Sequence, residues 1–238
     1  MKLTAFTEIT GKIVLKSGLH IGAGDTEMRI GGTDNPVIKH PHTQEPYIPG
    51  SSIKGKIRAL LELRSGLMGR TNGNPVSLKT LKGLQGRERE ECARILKLFG
   101  SSGADKQEDE ELVAEIGPGR VSFADCPLDP EWKKMADEEH LPLTEVKSEN
   151  AINRIKGTAE NPRFTERVPA DTVFRFRVTM KHLDEGESDL ETFLLEGLKL
   201  LTLDALGGSG SRGYGRIEFQ FDNASIQEDF NKAAALGQ

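Results

Sequence analysis

The stretch Gly207 to Arg216, reading GGSGSRGYGR, packs five glycines, two serines, two arginines and one tyrosine into ten positions. A strand-like run, Ile217 to Phe221, follows it. Glycine lets a backbone approach a ligand and expose its N–H groups, and arginine forms charge-assisted hydrogen bonds with phosphate. The stretch therefore reads as a loop built to hold a nucleic-acid backbone, with Gly208, Ser209, Gly210, Ser211 and Arg212 at its centre. A flexible turn ahead of an edge strand has the same composition, and glycines alone do not decide between the two.

Lys54, Lys56 and Arg58 fall in the first turns of an expected helix, where the macrodipole favours acids over cations. Lys54 and Arg58 are four residues apart and share a face. An anion bridging those side chains and the free N–H groups explains them; cations reaching out into water is the plainer account. Asp34 stands in Gly31-Gly32-Thr33-Asp34-Asn35-Pro36, which is ordinary turn chemistry. A loop carboxylate can also ligate a divalent metal or orient a ribose hydroxyl. No Asp/Glu cluster at fixed spacing announces a two-metal site, so attack by an RNA 2′-hydroxyl is the easier cleavage chemistry to defend. His20 ends the first strand before Gly22-Ala23-Gly24, a place where a lone histidine is more often structural than catalytic; His40 and His42 read as loop residues. Arg154, Lys156, Arg163 and Arg167 string positive charge along an extended arm, where Ile152 and Ile155 add apolar groups able to wedge between bases. An ordinary solvated hairpin fits the arm equally well.

These residues need a frame. At 238 residues the chain can bury a substantial core. The net charge of −5 is unevenly spread: residues 1–100 hold 16 basic against 9 acidic side chains, and residues 101–148 hold 5 against 13. An acidic protein of this kind can still turn one positive face to phosphates. Two cysteines, Cys92 and Cys126, are too few for a disulfide framework or a zinc knuckle. With no apolar run long enough to span a bilayer and no charged-then-apolar leader, a soluble protein of a reducing cytoplasm is expected.

Loose alternation over residues 6–16 predicts a strand running to His20, and Gly, Asp, Asn, Thr and Pro make 22–46 a long loop. A serine-capped amphipathic helix is expected over 52–66, from Ile53, Ile57, Leu60 and Leu61. Residues 66–86 look irregular, 87–98 helical up to Gly100, and 101–118 an acidic loop. A short strand at 121–124 and a surface segment at 127–143 follow. The arm is expected over 144–178, with limbs at 144–146 and 173–178. Leucine spacing predicts the strongest helix over 188–206. Strand, helix, strands, helix, strand suggests an α+β ferredoxin-like core with large insertions.

The segments HIGAG (20–24), GGTDNPVI (31–38), YIPGSSIKGKIRALLE (47–62), LFG (98–100), GPGRVSFADC (117–126), NPRFTERVPADTVFRFRV (161–178) and GGSGSRGYGRIEF (207–219) occur in one order. In that order they resemble the backbone RAMP (repeat-associated mysterious protein) subunit of type III-A CRISPR effector complexes. The resemblance spans nearly the whole chain. It implies a single domain, 1–238, with a modified RNA-recognition-motif core, insertions at about 22–50 and 66–120, and a thumb-like β-hairpin at about 145–170. It further implies copies of the subunit stacked in a filament on one guide RNA, beside other effector subunits. Each copy would cleave single-stranded target RNA with divalent metal, magnesium or manganese, next to a gap the thumb opens in the duplex. By position, Asp34 maps to the cleavage aspartate and possible metal ligand. Lys54, Lys56 and Arg58 map to the guide-binding helix, Gly208 to Arg212 to the guide-binding loop, Arg154, Lys156 and Arg163 to the thumb, and His20 to an RNA contact. Asp171 stands where the family usually has glycine, and Lys39-His40-Pro41-His42 departs from an expected acidic residue. A non-catalytic guide-binding scaffold, a guide-processing endoribonuclease relying on His20, and an unrelated ferredoxin-like metabolite enzyme are the rival expectations.

Overall fold

Strand β1 (Leu3–Leu15) is the axis of the molecule because alternate side chains, Ile9, Ile13 and Leu15, are fully buried on one face. The computed structural model describes residues 1–24, 35–101, 110–183, 187 and 189–236. Helix α1 (Gly50–Arg64) follows β1, and strand β2 (Val121–Phe123) comes later in the chain. Strands β3 (Glu145–Ile152) and β4 (Ala159–Arg167) form a separate hairpin. β5 (Val173–Leu183), helix α6 (Leu190–Leu203) and β6 (Ile217–Phe221) complete the core.

The four-stranded sheet has the order β2-β5-β1-β6. β1 pairs antiparallel with β5 from Leu3↔Leu183 to Val14↔Val173, and with β6 from Gly11↔Phe221 to Leu15↔Ile217. Taken without the insertions, the chain runs β1-α1-β2-β5-α6-β6, the ferredoxin-like βαββαβ unit the sequence order predicts. Both helices cover the same apolar face. Ile53, Ile57 and Leu61 of α1 are fully buried in one cluster with Phe193, Leu194, Leu198 and Leu201 of α6. The two helices pack closely because of Gly197, where a Cβ would lie 2.5 Å from Ile57 Cγ2.

The insertions differ in part from expectation. Residues 66–86 contain a 3₁₀ turn and the short helix α2 (Leu78–Lys82), which Ser77 and Thr80 cap reciprocally. Helix α3 (Gly86–Phe99) stops at Gly100 as predicted. The stretch 101–118, expected to be loop, carries helix α4 (Glu110–Ile116), and 127–143 carries helix α5 (Pro130–Glu138), capped by Asp129. The arm is real, but its return limb is β4 rather than 173–178. Phe174, Phe176, Val178 and Met180 alternate into the core, which draws 173–178 into the central sheet as β5. Residues 159–164, exposed on both faces, pair only with β3. Helix α7 (Ala224–Lys232), capped by Asn223, closes the chain by setting Phe230 against Phe219 and Phe221.

Candidate nucleic-acid interface

The chain leaving β1 runs between the hairpin and the glycine-rich loop, bonded to both. Leu19 and Val168 exchange two backbone hydrogen bonds of 2.9 and 2.8 Å. On the other side, Lys16 N–H donates to Arg216 O (2.7 Å), Gly215 N–H to Gly18 O (2.9 Å) and Gly208 N–H to His20 O (2.8 Å). Gly207 has φ +74°, and a Cβ there would sit 2.3 Å from His20 O, so no other residue permits this approach. His20 Nδ1 lies 2.7 Å from the carbonyl oxygen of Glu166. A carbonyl only accepts, so Nδ1 carries the hydrogen and Nε2 is the acceptor of the neutral ring.

The side chain of Glu166 is buried and holds the returning end of the long loop. Its Oε2 accepts from Val37 N–H (2.9 Å) and its Oε1 from Lys39 Nζ (2.5 Å), while its own N–H donates to Asn35 O (3.0 Å). Burial pushes this carboxyl up, but hydrogen bonds from Lys39, Val37 and Thr144 outweigh burial and hold it below the usual glutamate range. Lys39, one of the residues that departs from the expected acidic pattern, is thus the partner of a buried acid. Asn35 is the residue after Asp34; Asp34 itself lies outside the described residues.

A second carboxylate joins the glycine-rich loop to the hairpin. After Ser209 (φ +62°) the loop makes a 3₁₀ turn, Gly210–Arg212. Arg212 Nη1 donates to Glu149 Oε2 (2.7 Å) and its Nη2 to Ser209 Oγ (2.5 Å). Tyr214 is fully buried, donates from its hydroxyl to Glu149 Oε1 (3.1 Å), and has Lys147 Nζ and Arg167 Cζ 4.6 and 5.0 Å from its ring centre. Lys147 Nζ lies 3.2 Å from Glu149. Partial burial raises the Glu149 carboxyl, but the bonds from Lys147 and Tyr214 and the charge of Arg212 prevail and lower it. Burial and the same carboxylate push the Tyr214 hydroxyl up. Glu149, Asn150, Ala151, Arg163 and Arg212 line an open cavity of about 460 Å³ between hairpin and loop. Arg154 and Lys156 sit in the turn at the far tip, beside Ile155, which is 97% exposed.

The three cations of α1 separate. The expected serine cap is absent: Pro49 is the N-cap, and Gly50 N–H donates to Asp125 Oδ1 (2.8 Å), so a carboxylate of the protein's own occupies the helix start. Lys54 has no ion pair among the described residues. Lys56 Nζ lies 2.7 Å from Asp204, just ahead of the glycine-rich loop. Arg58, expected as a guide contact, is engaged by the protein itself. Its three donor nitrogens are spent on Glu62 (2.8 Å), Gly100 O (3.0 Å) and Val76 O (2.7 Å), and the guanidinium is mostly buried. It ties α1 to the α2 region and to the end of α3.

A family model, the RAMP superfamily, matches residues 12–218. The chain belongs to the RAMP superfamily. It is 42% identical over 237 residues to the CRISPR system Cms endoribonuclease Csm3 of Methanothermobacter thermautotrophicus, covering 92% of this chain and 85% of that one. Identity to the protein of the same name from Enterococcus italicus is 35% over 228 residues, covering 94% and 95%. Among solved structures, a chain of the Csm3–Csm4 subcomplex of the type III-A CRISPR-Cas interference complex superposes with TM-score 0.52 at 29% identity, covering 96% of this chain and 85% of that one. Methanopyrus kandleri Csm3 shares the fold, with TM-score 0.58 at 24% identity over 92% and 76% of the two chains.

In this RAMP chain the base of the hairpin therefore gathers His20, Arg163 and the loop Gly208, Ser209, Gly210, Ser211 and Arg212. Arg154 and Lys156 stand apart at the tip, and Arg58 is turned inward. Glu166, Lys39, Glu149 and Tyr214 are the residues the sequence reading missed. A lone glutamate in TER or SEN has no period or spacing to mark it; the aromatic inside a glycine run was the one available signal. Among the described residues no three His, Cys, Asp or Glu side chains form a cluster able to hold a metal, and Glu149 and Glu166 are already committed to cations. Burial pushes the Cys92 and Cys126 thiols up to about 12, so both stay protonated and unreactive. No described helix is long and apolar enough to cross a membrane.

Proposed function

We propose that this chain is the repeating backbone subunit of a type III-A CRISPR RNA-guided complex, a single RAMP domain over 1–238 that binds guide RNA and cleaves complementary target RNA at regular intervals. Relatives named endoribonuclease over most of their length support this reading, as does likeness to a chain of a type III-A subcomplex. The observation that carries it is the convergence at the hairpin base: the glycine-rich loop, His20 and the chain next to Asp34 all meet one projecting hairpin.

Each part then has a task. Lys54, Lys56 and the backbone N–H groups of the glycine-rich loop hold guide phosphates, and pairing between RNA strands supplies sequence recognition. The hairpin projects roughly 25 Å from its base, with Ile152 and Ile155 exposed to part stacked bases. His20 Nε2, left as an acceptor, suits a ribose 2′-hydroxyl. Asp34 is the cleaving carboxylate. Asp34 would be the protein ligand of a divalent metal, magnesium or manganese, which would polarise the scissile phosphate; the described residues supply no further ligand set. Copies of the chain, guide RNA, single-stranded target RNA and other type III-A subunits are its partners.

The test is to assemble the complex with guide and labelled complementary RNA and map the cuts with and without magnesium. Evenly spaced, metal-dependent products are expected. Asp34→Ala should abolish them while leaving assembly and target binding intact; a variant that still cuts would leave only the scaffold role.

A further inference from the structure

Arg212 is the exposed arginine at the centre of the glycine-rich loop, yet its guanidinium is already occupied by a carboxylate. Glu149 sits inside the same cavity as Arg163 and Arg212, and Arg212 Nη1 lies 2.7 Å from it. The two ends of this ion pair are unequal. Glu149 is 17% exposed and has two further donors, Lys147 Nζ at 3.2 Å and the Tyr214 hydroxyl at 3.1 Å, so it loses little if Arg212 leaves. Arg212 is 50% exposed, and its other hydrogen bond goes to Ser209 Oγ on its own turn. A half-exposed arginine on a short turn can swing, whereas a carboxylate anchored by a lysine and a buried tyrosine stays. The sheet register puts Arg163 directly across from Glu149, so a second cation already faces the cavity.

We infer that Glu149 is a built-in competitor for RNA: it occupies Arg212 in the free chain, and an RNA phosphate entering the cavity takes Arg212 from it while Lys147 and Tyr214 keep Glu149 in place. This rests on the reading that the cavity beside the glycine-rich loop receives RNA. Glu149 thereby sets the affinity of the groove and disfavours weakly held anions, because a phosphate must both win Arg212 and tolerate a fixed negative charge beside it. A salt effect follows. When a phosphate engages a cation it sheds counterions; in the wild type the Glu149 carboxylate that Arg212 leaves takes up a cation at the same moment, and the two largely cancel.

The experiment is an anisotropy titration of the full chain with a labelled oligouridylate at several salt concentrations. Glu149→Gln keeps an acceptor for Tyr214 and frees Arg212, so it should bind about three- to tenfold more tightly, with a salt slope steeper by about 0.7. Arg212→Ala should weaken the wild type slightly and erase the whole gain of Glu149→Gln, a coupling that a merely structural role for Glu149 does not produce. Binding by the wild type without a gain in Glu149→Gln would overturn the inference alone, and failure of every form to bind RNA would remove the underlying reading too. Should Glu149→Gln lose its fold, the wild type still decides: the Glu149 carboxyl, followed by carbon NMR, must titrate higher with the oligonucleotide bound than without, and an unmoved titration rejects the exchange.

Discussion

Nδ1 of His20 lies 2.7 Å from the carbonyl oxygen of Glu166, while the side chain of Glu166 turns away to hold Val37 and Lys39. One residue at the root of the hairpin thus fixes two other segments, one through its backbone and one through its carboxylate. The hairpin cannot tilt without moving the ring of His20 and the chain that returns at Asn35. On the proposed reading, in which the hairpin parts an RNA duplex, this joins the position of the wedge to the position of the groups beside the gap.

Glu166→Ala should therefore do more than a surface change. It strands the buried Val37 N–H and leaves the Lys39 ammonium unpaired, a loss of about 3 kcal/mol in urea unfolding. Target cleavage should fall further than guide binding does. Glu166→Gln, which retains an acceptor for Val37, should cost less. The pH dependence has a definite sign. The folded carboxyl is held below the value of an unfolded glutamate, about 4.3, so its contribution is complete above that value and disappears as pH falls through the folded pKa. The stability gap between wild type and Glu166→Gln should close as the pH is taken down below the ordinary glutamate range; a constant gap would show that ionised Glu166 contributes nothing.

Arg58 and Lys54 occupy equivalent turns of α1 and should part company on mutation. Arg58→Ala leaves Glu62 buried without its charge partner and removes donors from Val76 O and Gly100 O. A loss of about 3 to 5 kcal/mol in stability is expected, with no change in salt slope for whatever fraction stays folded. Lys54→Ala should leave the melting temperature within about 1 °C, and it should lower the salt slope of RNA binding by about 0.7. A thermal melt and a salt titration on each variant separate the two; equal behaviour would refute the division.

How far the residues declared these roles follows from what patterns encode. Ile53, Ile57 and Leu61, and the leucines of α6, are periodic because an entire face is buried, and so both helices were readable. The hairpin was placed but its return limb was not. Alternation marks a half-buried strand without saying which sheet it joins, and Val173–Val178 alternates more strongly than the doubly exposed β4. Lys54 and Arg58 look alike in sequence because what separates them is a pair of carbonyl partners 18 and 42 residues away, at Val76 and Gly100, beside Glu62 four residues on. The same holds for Glu149 and Glu166, whose partners Arg212 and Val37 lie 63 and 129 residues distant, in loops on either side of the hairpin. Charge identity is local; charge partnership is tertiary.

Asp171 gives a test in which sequence and geometry agree. The resemblance leads one to expect glycine there, and the Asp171 backbone is left-handed, φ +64°, at the turn that brings the chain from β4 into β5. Its N–H donates to Leu15 O (2.8 Å) and the next residue's carbonyl accepts from Leu15 N–H (3.0 Å), so the conformation is fixed by the end of β1. The Asp171 side chain makes no hydrogen bond or ion pair among the described residues, and nothing there repays a strained backbone. Glycine relieves that strain but enlarges the unfolded ensemble, which leaves a net gain of about 0.5 to 1 kcal/mol for Asp171→Gly. For a chain of this size that raises Tm by roughly 1 to 4 °C. Asp171→Ala, which tolerates the left-handed region less well than aspartate, should lower it. Calorimetry on the pair decides: glycine up and alanine down is the expected order, and a destabilising glycine would mean that the aspartate side chain holds the turn.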